Sequence, residues 1–273
     1  MNYILVGKEN AGDFENVLFP GFDAEKKRVT IGAYEDDGTV CGAVSVILSD
    51  YQYDCDWLYV HPERRRQGIG KGLFEQVMKF ISGTGMIFPV SASFEVTPED
   101  DSLYSFFLSM DDVDVEFSHG RYYASHERIA EAPELHKKMN VRLTEKEFGE
   151  LSDHEKNQVI ELITNEHICA IPDLKSFLGN MAPDVSIVVF NEGAIVGGIF
   201  FQLRGDQNLE LQYLFADSSV ATVQLTVSAA ARVKDKYPGY GIVFDAVNDK
   251  SARLAKKVFK GTEPVNIYEA TWG

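Results

Sequence analysis

Short apolar runs broken by turn residues fill most of the chain, and only a few stretches carry helical spacing. Residues 3–6 read as a strand and 10–19 as a short helix stopped by Pro20-Gly21. Residues 28–34 and 40–48 read as strands joined by Glu35-Asp36-Asp37-Gly38, a hairpin turn sequence. Residues 53–60 form a further strand rich in aromatic side chains, and Pro62 ends it because proline lacks a ladder donor. Leu73, Phe74, Val77, Met78 and Ile81 share one face at 3.6-residue spacing, which predicts a helix over 68–81. Residues 86–96 are apolar enough for a buried strand, 102–110 predict a short helix, and 113–124 are extended. Residues 128–139 are polar and helical in pattern.

The second half repeats this outline. Phe190-Asn191-Glu192-Gly193 echoes Tyr34-Glu35-Asp36-Asp37-Gly38, and the offsets from Gly38 to Gly193 and from Gly42 to Gly197 are both 155. Tyr213-Leu214-Phe215 echoes Trp57-Leu58-Tyr59 at an offset of 156. A helix over 220–236, a strand over 241–247 and a helix over 249–259 follow. A near-constant offset across several elements predicts a duplicated domain. The expected division is 1–127, a linker helix over 128–140, and 141–273.

Composition narrows the class. Of 273 residues, 26 are Lys or Arg and 42 are Asp or Glu, a formal charge of -16. That balance weighs against nucleic-acid binding, which neutralises phosphates, and favours a cationic small-molecule partner. No apolar run is long enough to span a bilayer, and residues 1–8 make a poor signal peptide. Cys41, Cys55 and Cys169 are an odd number at wide spacing, which fits a reducing cytoplasm better than a disulfide framework.

One segment reverses the charge. From His61 to Gly72 four Lys or Arg accompany one Glu, an island of about +3. Here a strand runs into a basic turn, then Gly68 and Gly70, then a helix. The first helical N–H groups have no intrahelical acceptor and attract anions. Glycines let a phosphate approach the backbone. A P-loop is excluded because Gly72 stands where Ser or Thr is required. A dinucleotide-binding loop fits poorly, since the third glycine comes one residue early and the motif follows the fourth strand.

Arg65-Arg66-Gln67-Gly68-Ile69-Gly70, preceded by Leu58-Tyr59-Val60-His61-Pro62, resembles the pyrophosphate loop of the GNAT acetyltransferase superfamily. The resemblance covers about residues 53 to 82 and is compatible with strand order over 1–125. It implies two GNAT-like domains of α+β or α/β class, each a mixed, mostly antiparallel twisted sheet flanked by helices. It implies acetyl-CoA as cosubstrate and acyl transfer to a primary amine of a small molecule or peptide. Arg65, Arg66, Gln67, Gly68, Ile69, Gly70 and Lys71 would cradle the pyrophosphate, with Arg64, Arg66 and Lys71 reaching the other phosphate. Leu58, Tyr59 and Val60 would pair with the pantetheine arm, and the Val60 N–H would face the thioester oxygen. Asp56 matches the family's acidic residue and would be the base, with Asp54 at the same parity. The family's acid is often a tyrosine, but Phe107 occupies that position; Tyr104, one turn earlier, is the substitute. The loop matching residues 65–70 in the second half is Ala221-Thr222-Val223-Gln224-Leu225-Thr226, without glycine or basic residues, so the second domain is read as a degenerate copy. Asn248-Asp249-Lys250-Ser251-Ala252-Arg253-Leu254 resembles the family's later Asn-x-x-Ala-x-x-Leu helix.

The alternative reading, motivated by Phe107 and the decayed copy, is a catalytically weak or inactive CoA-binding module. A cytoplasmic protein with no nucleic-acid or membrane partner is expected, and its strand edges make a homodimer an available state. No metal site is expected. His167-Ile168-Cys169 has no second pair at ligand spacing, and Asp111, Asp112, Asp114 and Glu116 lack an EF-hand's glycine and spacing.

Overall fold

A computed structural model describes residues 1–20, 22–23, 27–48, 53–83, 85, 88–136, 143–165 and 178–272. The chain divides into two compact units, Met1–Ser118 with Asn266–Gly273, and His119–Val265.

The first unit has strands β1 (Asn2–Leu5), β2 (Arg28–Tyr34), β3 (Val40–Leu48), β4 (Tyr53–Val60) and β5 (Val90–Val96), with helices α1 (Ile69–Gly83) and α2 (Ser102–Leu108). Residues 10–19, expected as a helix, hold only a 3-10 turn at Ala11–Phe14. Strands β1 to β4 pair antiparallel in chain order, and β4 pairs parallel with β5. The other edge of β5 pairs antiparallel with the last strand of the chain, β12 (Val265–Trp272). The core lies between the sheet and α1. Leu73, Phe74 and Val77 are fully buried against Val44, Val46 and Trp272, each contributing about 1.5–3 kcal/mol by leaving water. The opposite face of β3 is covered by Phe14 and Val17.

The second unit takes its first residues from β6 (Asp114–Ala124), whose residues 119–124 lie beyond the boundary. It continues with α3 (His126–Glu131), β7 (Thr144–Glu147), α4 (Asp153–Asn165), β8 (Ile187–Asn191), β9 (Ala194–Leu203), β10 (Asn208–Ala216), α5 (Ser219–Lys236), β11 (Gly241–Ala246) and α6 (Asp249–Val258). Strands β7 to β10 pair antiparallel in order, β10 pairs parallel with β11, and β11 pairs antiparallel with β6. Each unit is thus closed by a strand from elsewhere in the chain order: β12 completes the first and β6 the second. The linker expected over 128–140 is instead the short α3 and a 3-10 turn at Pro133–His136, with the remainder outside the described residues.

The repeat is physical as well as textual. Gly38 and Gly193 sit at φ 90° and 86° in equivalent hairpins, a region glycine enters without penalty. The two hairpins share a bulge, between Ala33 and Tyr34 and between Val189 and Phe190. The strands that follow share another, at Asp56 and Gln212, which are 156 residues apart.

Candidate active site

The site begins where β4 and β5 part. Their parallel pairing covers only Tyr53 with Val90 and Asp54 with Ser91, although both strands continue for several residues. The bulge at Asp56 twists β4 just beyond that last pair. The gap opens into a cleft of about 490 Å³. One wall is Leu58, Tyr59 and Val60 with the turn residues Arg64, Arg65, Arg66, Gly68, Ile69, Gly70 and Lys71. The facing wall comes from the end of β5 and from α2: Glu95, Asp100, Ser102, Leu103, Phe106 and Ser109.

Backbone parity aims Val60 at the cleft. The His61 N–H donates to Cys41 O at 2.8 Å, so His61 faces β3 and its neighbour Val60 faces away. The Val60 carbonyl accepts from Arg65 Nε at 3.1 Å, which ties the turn to the strand end. Arg66 at φ 62° and Gly68 at φ 80° wind the turn so that α1 starts abruptly at Ile69. The first helical bond from this stretch is donated by Gly72 N–H to Gly68 O at 3.0 Å. Among the described residues, no hydrogen bond is donated by the backbone N–H groups of residues 66–71. A Cβ on Gly68 would meet nothing within 4 Å, so the approach to these donors is open. Such a run of amides at a helix start favours an anion. Around it, Arg64 pairs with Glu35 at 3.1 Å and Lys71 with Asp111 at 3.8 Å, while Arg66 has no carboxylate partner among the described residues.

The other predicted residues lie differently. Asp56 is the extra residue of the bulge, and its Oδ2 accepts from Arg28 Nη2 at 3.1 Å. Burial pushes its carboxyl up, against the pull of Arg28. Arg28 is almost wholly buried, donates to Ser45 Oγ as well, and lies under the Phe19 ring. Asp54 accepts from Ser91 Oγ at 3.1 Å. Neither aspartate lines the cleft. Tyr104 packs edge-on to Tyr268 at 4.8 Å, and Phe107 is buried among Phe74, Phe94 and Trp272; neither belongs to the cleft wall. Asp100 is held below the usual carboxylate range by the hydroxyl and N–H of Ser102, with Arg65 adding to the effect.

Sequence reading missed Glu95, Asp100, Ser102, Leu103, Phe106 and Ser109. The available signal was the spacing of 102, 103, 106 and 109, one face of a helix that begins beside the glycine turn. No group of His, Cys, Asp and Glu among the described residues is arranged to hold a metal ion. The segment 167–169 lies outside them. No helix among the described residues is long and apolar enough to cross a membrane.

In the second unit the equivalent turn is gone. Helix α5 begins at Ser219, capped by Ser218 Oγ, which accepts from Ala221 N–H, while Thr222 N–H donates to Ser218 O. Gln224 stands at the Gly68 position, buried, with its amide bonded to both backbone groups of Leu143. The donors that the first unit leaves open are therefore used or replaced.

Residues 27–105 match the model of the acetyltransferase (GNAT) domain. Against solved structures, a tandem GNAT protein from the clavulanic acid biosynthesis pathway aligns over 100% of this chain and 98% of its own, at 16% identity and a TM-score of 0.68. A GCN5-related N-acetyltransferase from Sphaerobacter thermophilus aligns over 97% of this chain and 84% of its own, at 13% identity and TM-score 0.61. The glucosamine N-acetyltransferase region of a fungal multi-domain β-N-acetylglucosaminidase covers 99% of this chain and 38% of that one, at 12% identity and TM-score 0.66. A search of curated proteins by sequence gave no match.

Proposed function

From a chain whose residues 27–105 form a GNAT acetyltransferase domain within a tandem GNAT fold, we infer an enzyme that moves an acetyl group from acetyl-CoA to a primary amine. The observation that carries this reading is the row of undonated N–H groups at residues 66–71, opening on the cleft between β4 and β5. Those amides, from Arg66 to Lys71, would hold the pyrophosphate, with the Arg66 guanidinium close by; the Arg65 N–H, expected to share in this, instead donates to Pro62 O at 3.3 Å. Leu58 to Val60 would lie along the pantetheine arm. The thioester supplies an acyl group already activated for attack. The Val60 N–H, turned to the cleft side of β4, would donate to the oxygen that gains charge in the transition state. Removing one donor of that kind costs about 10²–10³-fold in rate. The net charge of -16 favours a cationic acceptor, and the odd number of widely spaced cysteines favours action in a reducing cytoplasm.

Titration calorimetry with CoA tests the reading. Saturable binding is expected. No heat at roughly millimolar CoA, the limit of weak specific affinity, overturns it.

A second reading has its own support: Phe107, at the family's tyrosine position, is sealed in the core, and Tyr104 is turned to Tyr268. On that reading the chain binds CoA without turnover. Free-thiol release in the presence of primary amines separates the two. An unassisted departure of the thiolate remains compatible with catalysis, since thiols have pKa values near about 8.5.

A further inference from the structure

On the sheet face away from α1, one guanidinium spans three strands. Arg28, at the start of β2, donates from Nη1 to Ser45 Oγ on β3 at 3.3 Å and from Nη2 to Asp56 Oδ2 on β4 at 3.1 Å. Ser45 Oγ also lies 3.0 Å from Thr30 Oγ1, and both hydroxyl residues are buried. The Phe19 ring covers the guanidinium at 4.5 Å and meets the Trp57 ring edge-on, while Trp57 Nε1 donates to Val17 O at 2.8 Å. The Arg28 side chain is 8% exposed under this cover, but that of Asp56 is 29% exposed. Asp56 lies two residues past Asp54, where β4 last pairs with β5, and two before Leu58, where the cleft wall begins.

The fold does not require this pair. Apolar side chains in place of a buried ion pair are often neutral or stabilising, because both charges must otherwise leave water. The second unit makes that exchange. Its β10 keeps the same bulge, with uncharged Gln212 at the Asp56 position. Phe200 stands where Ser45 does, opposite the residue after the bulge, and is buried against Phe148 and Phe215. The unit with open amides at its helix start therefore has the pair, and the unit without them has none at its bulge. Burial pushes the Asp56 carboxyl up and Arg28 pulls it down, so the guanidinium opposes protonation at this spot.

We propose that Arg28 is a positioning residue for acyl transfer, holding the Asp56 carboxylate at the parting of β4 and β5 as the anion that meets the acceptor's ammonium. The inference rests on the acyl-transfer reading above. A buried guanidinium suits the task. It does not lose its proton in a protein, and its planar fork fixes two acceptors on adjacent strands at once. Selectivity follows from the sign of the charge. A neutral or anionic group gains nothing from this carboxylate, so the site favours acceptors that present a cation.

The test measures thiol release from acetyl-CoA with spermidine, tyramine and glucosamine, and CoA binding by titration calorimetry. Removing Arg28 alone leaves Asp56 half-buried without its cation, which endangers folding, so the main variant removes both charges. Arg28→Met combined with Asp56→Asn should keep a urea midpoint at or above that of wild type and a CoA affinity within about twofold. It should nevertheless lose at least about 10²-fold in kcat/KM for the amines. Arg28→Lys, which keeps the charge but not the fork, should lie between the two. Its loss should fall on kcat and on KM for the amine with KM for acetyl-CoA unchanged, a split that a general loosening of the fold does not give. The double variant keeping kcat/KM within about threefold overturns the assignment. Loss of CoA binding together with activity also overturns it, since the pair would then support the cofactor cleft. So does a wild type that binds CoA and turns over none of the three amines, whereas failure of the wild type to bind CoA sinks the acyl-transfer reading itself.

Discussion

Gly68 adopts φ 80° with no atom within 4 Å of where a Cβ would stand. A side chain there is strained by about 1–2 kcal/mol, small against the 5–15 kcal/mol of a typical domain. Gly68→Trp should therefore leave a folded protein whose indole fills the turn proposed to hold the diphosphate. The expected result is a normal circular dichroism spectrum with CoA binding abolished in calorimetry. Phe107 offers the converse experiment. It is 2% exposed and packs against Phe94, Phe74 and Trp272. Phe107→Tyr restores the residue type that the family resemblance calls for, yet the new hydroxyl enters an apolar core without a partner. A loss of about 1–3 kcal/mol in urea unfolding, with no gain in turnover, is expected. At this scale the glycine turn was readable from sequence because its chemistry is local. The setting of Asp56 was not, because strict two-residue alternation fails at a bulge. Glu95 was passed over because an acidic residue after Val90, Ala92 and Phe94 reads as an ordinary solvent-facing position.

Elements inherit these local choices. The stretch from Arg65 to Gly68 stays outside the helix in the first unit, whereas its counterpart in α5 is helical from Ser219 onward and capped by Ser218. The sequence made that loss legible, since the second copy has neither glycine nor cation in the segment. Strands β2, β3 and β4 were equally legible, their bounds set by hairpin glycines and Pro62. The partner of β6 was not, because alternation shows which face is buried but not which strand lies alongside. In the structure β6 joins β11, and the pair is tied by Arg121, whose Nε and Nη2 each donate to Asp245 at 2.7 Å. Burial pushes the Asp245 carboxyl up, but the hydrogen bonds and charge of Arg121, aided by His119, outweigh it and leave the carboxyl well below its usual range. A depressed folded-state value means stability that is complete above the unfolded pKa, near about 3.9, and is lost as pH falls through the folded one. Asp245→Asn should cost about 2 kcal/mol or more at neutral pH, because it leaves Arg121 half-buried without its anion. Urea midpoints measured across the acid range should then depend less on pH in the variant than in wild type.

At the scale of the whole chain, the last strand belongs with the first elements. β12 pairs with β5 from Val90 to Val96, and its Ala270 and Trp272 are buried in the core that supports α1. The Trp272 ring lies 4.7 Å from Phe74 and 5.6 Å from Phe107. The sequence division at 127 and 141 follows the repeat but assigns this strand to the second half. The repeat locates copies and says nothing about which copy a terminal strand completes. Truncation after Pro264 tests the consequence. It removes no residue of the cleft wall, yet it bares the edge of β5 and deletes a buried tryptophan, a change that alone costs about 3–5 kcal/mol. CoA binding should disappear, and the unfolding transition of the first unit should move to lower urea or vanish. The second unit, closed by β6, should keep its own transition. A fragment ending at residue 127 lacks β12 as well and should fail to bind CoA for the same reason. Binding of CoA by either shortened chain at wild-type strength would mean that β12 is not needed to hold β5 away from β4, and the cleft would have to be explained by β4 and its bulge alone.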